Sequence, residues 1–303
     1  MSGSFEGVFA ALTTPFVNDG VAVEEFKKNI LRYNTTSLAG YVVLGSTGEA
    51  VFLGDDEAET LLGAARAAAA SGKKIIAGAS RESTRSTVEF VHRLAGLGAD
   101  AALLKPPHYY KAAMNQDTLK RYFFEVADGA PIPVIIYNIP QNTGVPVEPP
   151  TIIELAGHPN IAGIKDSSGR LANLSEVIAS VRPEFSFLLG AGGIFLAGLL
   201  LGASGGILAL AAVVPDLCVE IHSLFRRGRL VDARKLQLDL VPLNKALTET
   251  LGIPAIKYAL DLLGYSGGPP RAPLRPLDEA GKAHVRQLLK IRGLLKNPAD
   301  IPS

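Results

Sequence analysis

Short apolar, β-branched runs recur along the chain at Val8–Leu12, Tyr41–Leu44, Lys74–Ala79, Ala101–Leu104, Pro133–Tyr137, Ile161–Lys165, Phe187–Leu189 and Gly206–Leu210. They lack polar alternation, the pattern of strands covered on both faces as in a parallel sheet. Between them the period becomes helical. Leu174, Val177, Ile178 and Val181 fall at i, i+3, i+4 and i+7, with Asn173 and Glu176 spaced as a capping box. Val88, Val91 and Ala95 repeat similarly after Ser83–Thr84, and Asp55 is positioned to cap an alanine-rich helix that runs through Ala70 and stops at Gly72.

Strand–helix units repeated in this way predict a (β/α)₈ TIM barrel, whose size range the chain meets. An open doubly wound sheet is the competing architecture, but the glycine fingerprint of a dinucleotide site is missing from the first strand–helix turn, which also disfavours hydride transfer. Beyond residue 228 the pattern is helical over Leu230–Thr250, Ile256–Leu263 and Asp278–Leu289, with Pro- and Gly-rich links. The expected organisation is therefore a catalytic barrel over 1–228 and a C-terminal helical extension over 229–303, packed on the barrel.

Composition narrows the function. Of 303 residues 48% are hydrophobic, enough for one large core, and 30 basic against 29 acidic residues leave a net charge of +1. That balance gives no reason to expect nucleic acid or an anionic membrane as a partner. Cys218 is the only cysteine, so no internal disulfide forms and a reducing, cytoplasmic setting is expected. The start, Met1-Ser-Gly-Ser-Phe-Glu-Gly7, has neither a basic segment nor an apolar run, so no secretory leader is expected. His92, His108, His158, His222 and His284 show no metal-ligand spacing, and no metal is expected. The uncharged stretch Phe187–Val214 is long enough to cross a membrane, but glycines interrupt it from Gly190 to Gly206. Two short buried strands flanking a short helix account for it better.

In barrels of this kind the reacting groups lie at the C-terminal ends of strands. Ile161-Ala-Gly-Ile-Lys165 ends an apolar strand on a lysine. Desolvation there favours the neutral, nucleophilic amine that imine formation with a ketone requires; the alternative is a strand-end lysine paired with an acid such as Asp166. The preceding strand ends on Tyr137, within plausible reach of Lys165, where a phenol can shuttle protons. Gly45-Ser-Thr-Gly-Glu49 follows the second strand, and the amides and hydroxyls of Ser46 and Thr47 can cradle a carboxylate. Lys105, in Leu103-Leu-Lys-Pro-Pro-His-Tyr-Tyr110, is a second strand-end lysine, and these arguments alone do not choose between the two.

Gly45-Ser-Thr-Gly-Glu49, Tyr137-Asn-Ile-Pro140 and Gly163-Ile-Lys-Asp166 stand in an order and spacing that resembles the dihydrodipicolinate synthase/N-acetylneuraminate lyase superfamily, and the likeness runs from Gly7 into the C-terminal helices. The resemblance implies class I chemistry on a (β/α)₈ barrel, no cofactor beyond a covalent Schiff base with substrate, and a homotetramer built as a dimer of dimers. It implies Lys165 as the imine lysine, Tyr137 as the proton-transfer residue, Ser46 and Thr47 as carboxylate ligands in the relay, Tyr110 as the tyrosine donated across the dimer interface, and the Ile207 carbonyl as part of the site wall. It thereby selects Lys165 over Lys105.

Within the superfamily, Asn142 stands where lysine-pathway synthases usually carry an arginine. His158-Pro-Asn-Ile-Ala-Gly-Ile-Lys-Asp-Ser167, Asn142-Thr-Gly144 and Gly264–Leu274 are closer to the 4-hydroxy-2-oxoglutarate aldolases, in which Ser167 would contact the distal carboxylate. Thr47 and Lys105 depart from that group. The expected activity is a pyruvate-dependent aldolase of that kind, cleaving or forming a C–C bond between pyruvate and an aldehyde such as glyoxylate. Condensation of pyruvate with aspartate semialdehyde (dihydrodipicolinate synthase) is the first alternative, a 2-keto-3-deoxy sugar-acid aldolase or dehydratase the second, and a non-catalytic 2-oxo-acid-binding barrel the rival of a different class.

Overall fold

The computed structural model describes residues 5–295. The first four residues of the N-terminal segment and the last eight of the C-terminal extension lie outside them. Eight parallel strands close into a barrel: β1 (Gly7–Ala11), β2 (Gly40–Val43), β3 (Lys74–Gly78), β4 (Ala101–Leu104), β5 (Val134–Asn138), β6 (Ile161–Asp166), β7 (Ser186–Leu189) and β8 (Gly205–Leu208), with β8 pairing back onto β1. Each of the eight apolar runs became a strand, Ala101–Leu104 with unchanged ends and the others with ends shifted by at most two residues. Leu44 leaves β2 because its backbone is left-handed (φ 61°), and Leu210 leaves β8 to begin the helical turn Leu210–Val213. The uncharged stretch resolves into β7, the helix Phe195–Leu200, β8 and that turn. Among the described residues no helix is long and apolar enough to cross a membrane.

Alternation along the strands sorts their side chains into two layers, as strand geometry requires. In β5, Val134 and Ile136 join the outer core between strands and helices. Ile135 and Tyr137 point inward with Phe9, Val42, Leu103 and Leu188 to fill the barrel. The β5–β6 register shifts once: Val134 pairs with Ile161, but Ile135 pairs with Gly163, so Ala162 is taken up in a bulge. Because a one-residue slip exchanges the two faces of a strand, this bulge sets which residues of β6 face inward beyond it. Tyr137 and Lys165 become direct neighbours in register.

Two expected helix starts differ. The helix after β6 begins at Leu171, without a side-chain cap. Asp166 already organises the turn by accepting from the Ser168 amide and hydroxyl, and Gly169 then turns the chain at φ 77°, leaving Asn173 inside the helix. Asp55 is the first helical residue rather than the cap. The cap position is Gly54, whose amide bonds the Glu57 carboxylate at 3.0 Å, while Asp55 pairs with Arg81 and Arg93.

The C-terminal helices Leu230–Asn244, Ile253–Leu262 and Glu279–Ile291 bury Leu240, Leu243, Ile256, Leu260, Val285 and Leu289 in the same outer core as the barrel helices. A π-helical turn, Lys245–Thr250, continues the first of them three residues after Pro242. The link Gly264–Leu274 reaches back across the barrel: Arg271 bonds both Glu57 carboxylate oxygens at 2.7 Å and stacks over Phe16. The Arg271 hydrogen bond holds the Glu57 carboxyl below its ordinary value of 4.5, partly opposed by burial. A depressed folded-state pKa means the stabilisation is present above pH 4.5 and is lost as pH falls through the lower, folded value. Thermal melts of Glu57→Gln across pH 7 to 3 should therefore show a deficit against the unsubstituted protein at neutral pH that closes at acid pH. A gap independent of pH would contradict this.

Candidate active site

A cavity of about 650 Å³ opens at the C-terminal ends of the strands. Its floor is the Tyr137–Lys165 pair. Lys165 is 5% exposed, and its Nζ lies 4.1 Å from the centroid of the Tyr137 ring. No ion pair to Lys165 occurs among the described residues. Asp166, the acid expected as its alternative partner, turns away: its carboxylate accepts from Asn138 Nδ2 at 2.7 Å and from Ser168, and Asn138 also accepts from the Val147 amide. The buried Asn138–Asp166 bond thus ties β5 to β6 one residue beyond the Tyr137–Lys165 pair. The amine is left facing the cavity rather than neutralised by a neighbour.

The Tyr137 hydroxyl lies 3.5 Å from Ser46 Oγ. Ser46 and Thr47 sit on the loop after β2, which begins and ends on left-handed residues, Leu44 at φ 61° and Glu49 at φ 55°. Such conformations cost about 1 kcal/mol or more outside glycine and need outside support. Gly78 provides part of it at the loop's entry: a Cβ there would lie 1.9 Å from the Leu44 carbonyl oxygen. At the exit Glu49 is buried against Lys257, Nζ to Oε1 2.6 Å with both side chains 1% exposed. Lys257 also donates to the Thr14 carbonyl, and the second Glu49 oxygen accepts from the Arg271 amide. The amides of Gly48, Glu49 and Ala50 are spent on the Gly45 and Ser46 carbonyls, which confines the expected anion cradle to the amides and hydroxyls of Ser46 and Thr47.

Ile207, Asn142 and Ser167 line the same cavity. A Cβ on Gly190 would lie 1.9 Å from Ser167 Oγ, so only glycine leaves Ser167 its place. Of the expected site residues, Tyr110 alone lies elsewhere. It is 73% exposed, edge-on to Tyr109, and does not line its own chain's cavity.

Lys105 stands apart as well. It lines a smaller cavity of about 330 Å³ with Ser80, Arg81, Glu82 and His108, which meets the first along Ser46 and Tyr137. Its Nζ is 3.3 Å from His108 Nδ1 and 4.0 Å from Glu82. Burial lowers the Lys105 pKa, with Glu82 opposing.

Sequence reasoning missed one wall. Asn244 at the end of the helix Leu230–Asn244, with Leu247, Thr248, Glu249, Gly252, Ile253 and Ile256 from the π turn and the start of the next helix, closes the cavity opposite the strand ends. The helical pattern of the sequence assigns these residues only a packing role. The one irregularity that marks them in the sequence, Pro242 inside a helical pattern, is a weak signal.

Comparison with known proteins adds the following. The Dihydrodipicolinate synthetase family matches residues 4–292. The 4-hydroxy-tetrahydrodipicolinate synthases of Methanoculleus marisnigri and Methanopyrus kandleri are each 36% identical, covering 95% and 97% of this chain and 100% and 99% of theirs. Among solved structures, the dihydrodipicolinate synthase of Cyanidioschyzon merolae with lysine bound superposes with a TM-score of 0.92 at 29% identity, over 96% of this chain and 99% of that one. A prophage protein of the same family from E. coli K12, in complex with pyruvate, gives 0.90 at 29% identity over the same shares. These relatives carry the synthase name that sequence reading ranked behind the 4-hydroxy-2-oxoglutarate aldolases.

Proposed function

Because the chain belongs to the dihydrodipicolinate synthetase family, a family of class I, aldolase-type enzymes that form a lysine Schiff base with pyruvate and use no other cofactor, we propose that Lys165 is that lysine and that the imine joins pyruvate to an aldehyde. The observation that carries this reading is the isolated, buried Lys165 amine beside the Tyr137 ring, with the Tyr137 hydroxyl facing Ser46.

In this reading the neutral Lys165 amine adds to the 2-oxo carbon of pyruvate, and the carbinolamine loses water to give a protonated imine. Ser46 and Thr47 hold the pyruvyl carboxylate. Loss of a C3 proton gives the enamine, with the iminium nitrogen accepting the electron pair. The enamine carbon then bonds to the aldehyde carbon as the aldehyde oxygen takes up a proton. Water hydrolyses the new imine and frees Lys165. Tyr137 moves protons at the carbinolamine and at the aldehyde oxygen, relayed by Ser46. Tyr110 completes the relay from a second copy, which makes a dimer within a homotetramer the working unit. Replacing Tyr137 with Phe should lower kcat by about 10²–10⁴-fold, the usual worth of a positioned proton-transfer group. Steady-state kinetics would check this; a loss below tenfold would remove Tyr137 from the relay.

Aspartate semialdehyde is the first acceptor to assign, since the 36%-identical relatives share the whole length of the chain and are named for that condensation. The second reading, cleavage of 4-hydroxy-2-oxoglutarate to pyruvate and glyoxylate, is favoured by the neutral Asn142 and by Ser167 on the cavity wall. Two assays separate them: pyruvate consumption dependent on aspartate semialdehyde, and pyruvate release from 4-hydroxy-2-oxoglutarate. The first is expected to be faster. Turnover of 4-hydroxy-2-oxoglutarate alone would reverse the order.

A further inference from the structure

Two charged side chains line the cavity among the described residues, Lys165 and Glu249. The imine proposed above takes Lys165 out of the balance, because the positive iminium nitrogen is matched by the pyruvyl carboxylate on the same molecule. Glu249, solvent-exposed at the rim of the cavity, is then the one remaining charge that an incoming aldehyde meets. It belongs to the π turn Lys245–Thr250 rather than to a regular helix, and such turns recur at functional sites. No ion pair to Glu249 occurs among the described residues. Its side-chain contact is Asn244 Nδ2 at 3.5 Å, the outer limit of a hydrogen bond. Asn244 is itself buried and packed where a Cβ on Gly192 would come within 2.5 Å of its Oδ1, so the amide is fixed at the wall beneath Glu249.

An unpaired carboxylate on the wall of a cavity repels a second carboxylate and attracts an ammonium, and like charges held close are a recognised device for rejecting wrong partners. Resting on the Schiff-base reading and on aspartate semialdehyde as the first acceptor, we infer that Glu249 is the side chain that distinguishes an amino-bearing aldehyde from one without the amino group, by pairing with its ammonium. The neutral donors Gln141, Asn142 and Ser167 are left for its carboxylate end. An acceptor such as glyoxylate, which carries only a carboxylate, gains nothing from Glu249.

Aspartate semialdehyde and succinate semialdehyde differ only in the amino group, and comparing them isolates this contact. The unsubstituted enzyme should prefer the amino aldehyde by about two- to fivefold in kcat/KM, the usual worth of an ion pair to a solvent-exposed carboxylate. Glu249→Gln should erase that preference by raising the KM for aspartate semialdehyde, with the pyruvate KM and borohydride trapping of pyruvate unmoved. A preference that survives in Glu249→Gln overturns the inference, as does equal or better use of succinate semialdehyde by the unsubstituted enzyme. Pyruvate trapping without turnover of either aldehyde would overturn it too, while sparing the Schiff-base reading. Failure to trap pyruvate at all would instead count against that reading.

Discussion

Lys165→Met should abolish turnover, with a loss of about 10⁴-fold or more in kcat, while leaving the fold intact. The size follows from the role: methionine has no amine, so the covalent route closes altogether rather than slowing, and removal of a catalytic nucleophile costs losses of this order. The fold should survive because Lys165 faces the cavity and makes no ion pair among the described residues, so its loss strands no buried partner charge; Asp166 keeps its bonds to Asn138 and Ser168. Kinetics with the preferred aldehyde and a thermal melt check the two halves separately. Residual turnover within a hundredfold of the unsubstituted enzyme would mean that another amine carries the chemistry, and Lys105, just past the end of β4 and two strands from β6, is the one to examine.

The second large effect lies away from the reacting atoms. Lys257→Met should lower stability by about 3–5 kcal/mol, because it leaves the Glu49 carboxylate buried without its cation. For a chain of this size that is a fall in melting temperature on the order of 10 °C. Both partners are 1% exposed, so water cannot screen or replace the pair. The double variant Lys257→Met with Glu49→Gln should recover part of the loss, since no uncompensated charge remains. Weakened pyruvate binding should accompany the single substitution: Glu49 closes the loop on which Ser46 and Thr47 sit, and its left-handed backbone is held from the C-terminal segment by Lys257 and by the Arg271 amide. Differential scanning calorimetry and the pyruvate KM check both parts. A single variant that melts with the unsubstituted protein would show the pair to be dispensable.

Lys257 and Glu49 also mark where the sequence stopped being legible. Periodicity found every strand of the barrel because a strand covered on both faces must be apolar throughout. It placed Tyr137 and Lys165 at strand ends, where a polar residue has few places to go, but it offered Lys105 on the same grounds, and only the family resemblance separated the two lysines. It could not find the bulge at Ala162, which decides that Lys165 and Tyr137 face each other; nothing in the residue types announces it. The start of the helix after β6 was misjudged because Asp166 satisfied the turn before Asn173 could cap it. The 208-residue separation of Lys257 from Glu49 is a product of chain closure, as is the approach of the π turn to the strand ends. Contacts of this kind depend on how the C-terminal helices lie across the barrel mouth, and local propensity carries no record of that. Tyr110 differs again: its expected partner is a second copy of the chain, and within one chain it is an exposed side chain beside Tyr109.

The most direct test of the central claim is reduction of the enzyme with borohydride in the presence of pyruvate, followed by mass spectrometry of the intact chain and its peptides. A single reduced pyruvyl adduct on the peptide that holds Lys165, retained in Lys105→Met and absent from Lys165→Met, is the predicted result. An adduct on Lys105, or no adduct under conditions that support turnover, would contradict it.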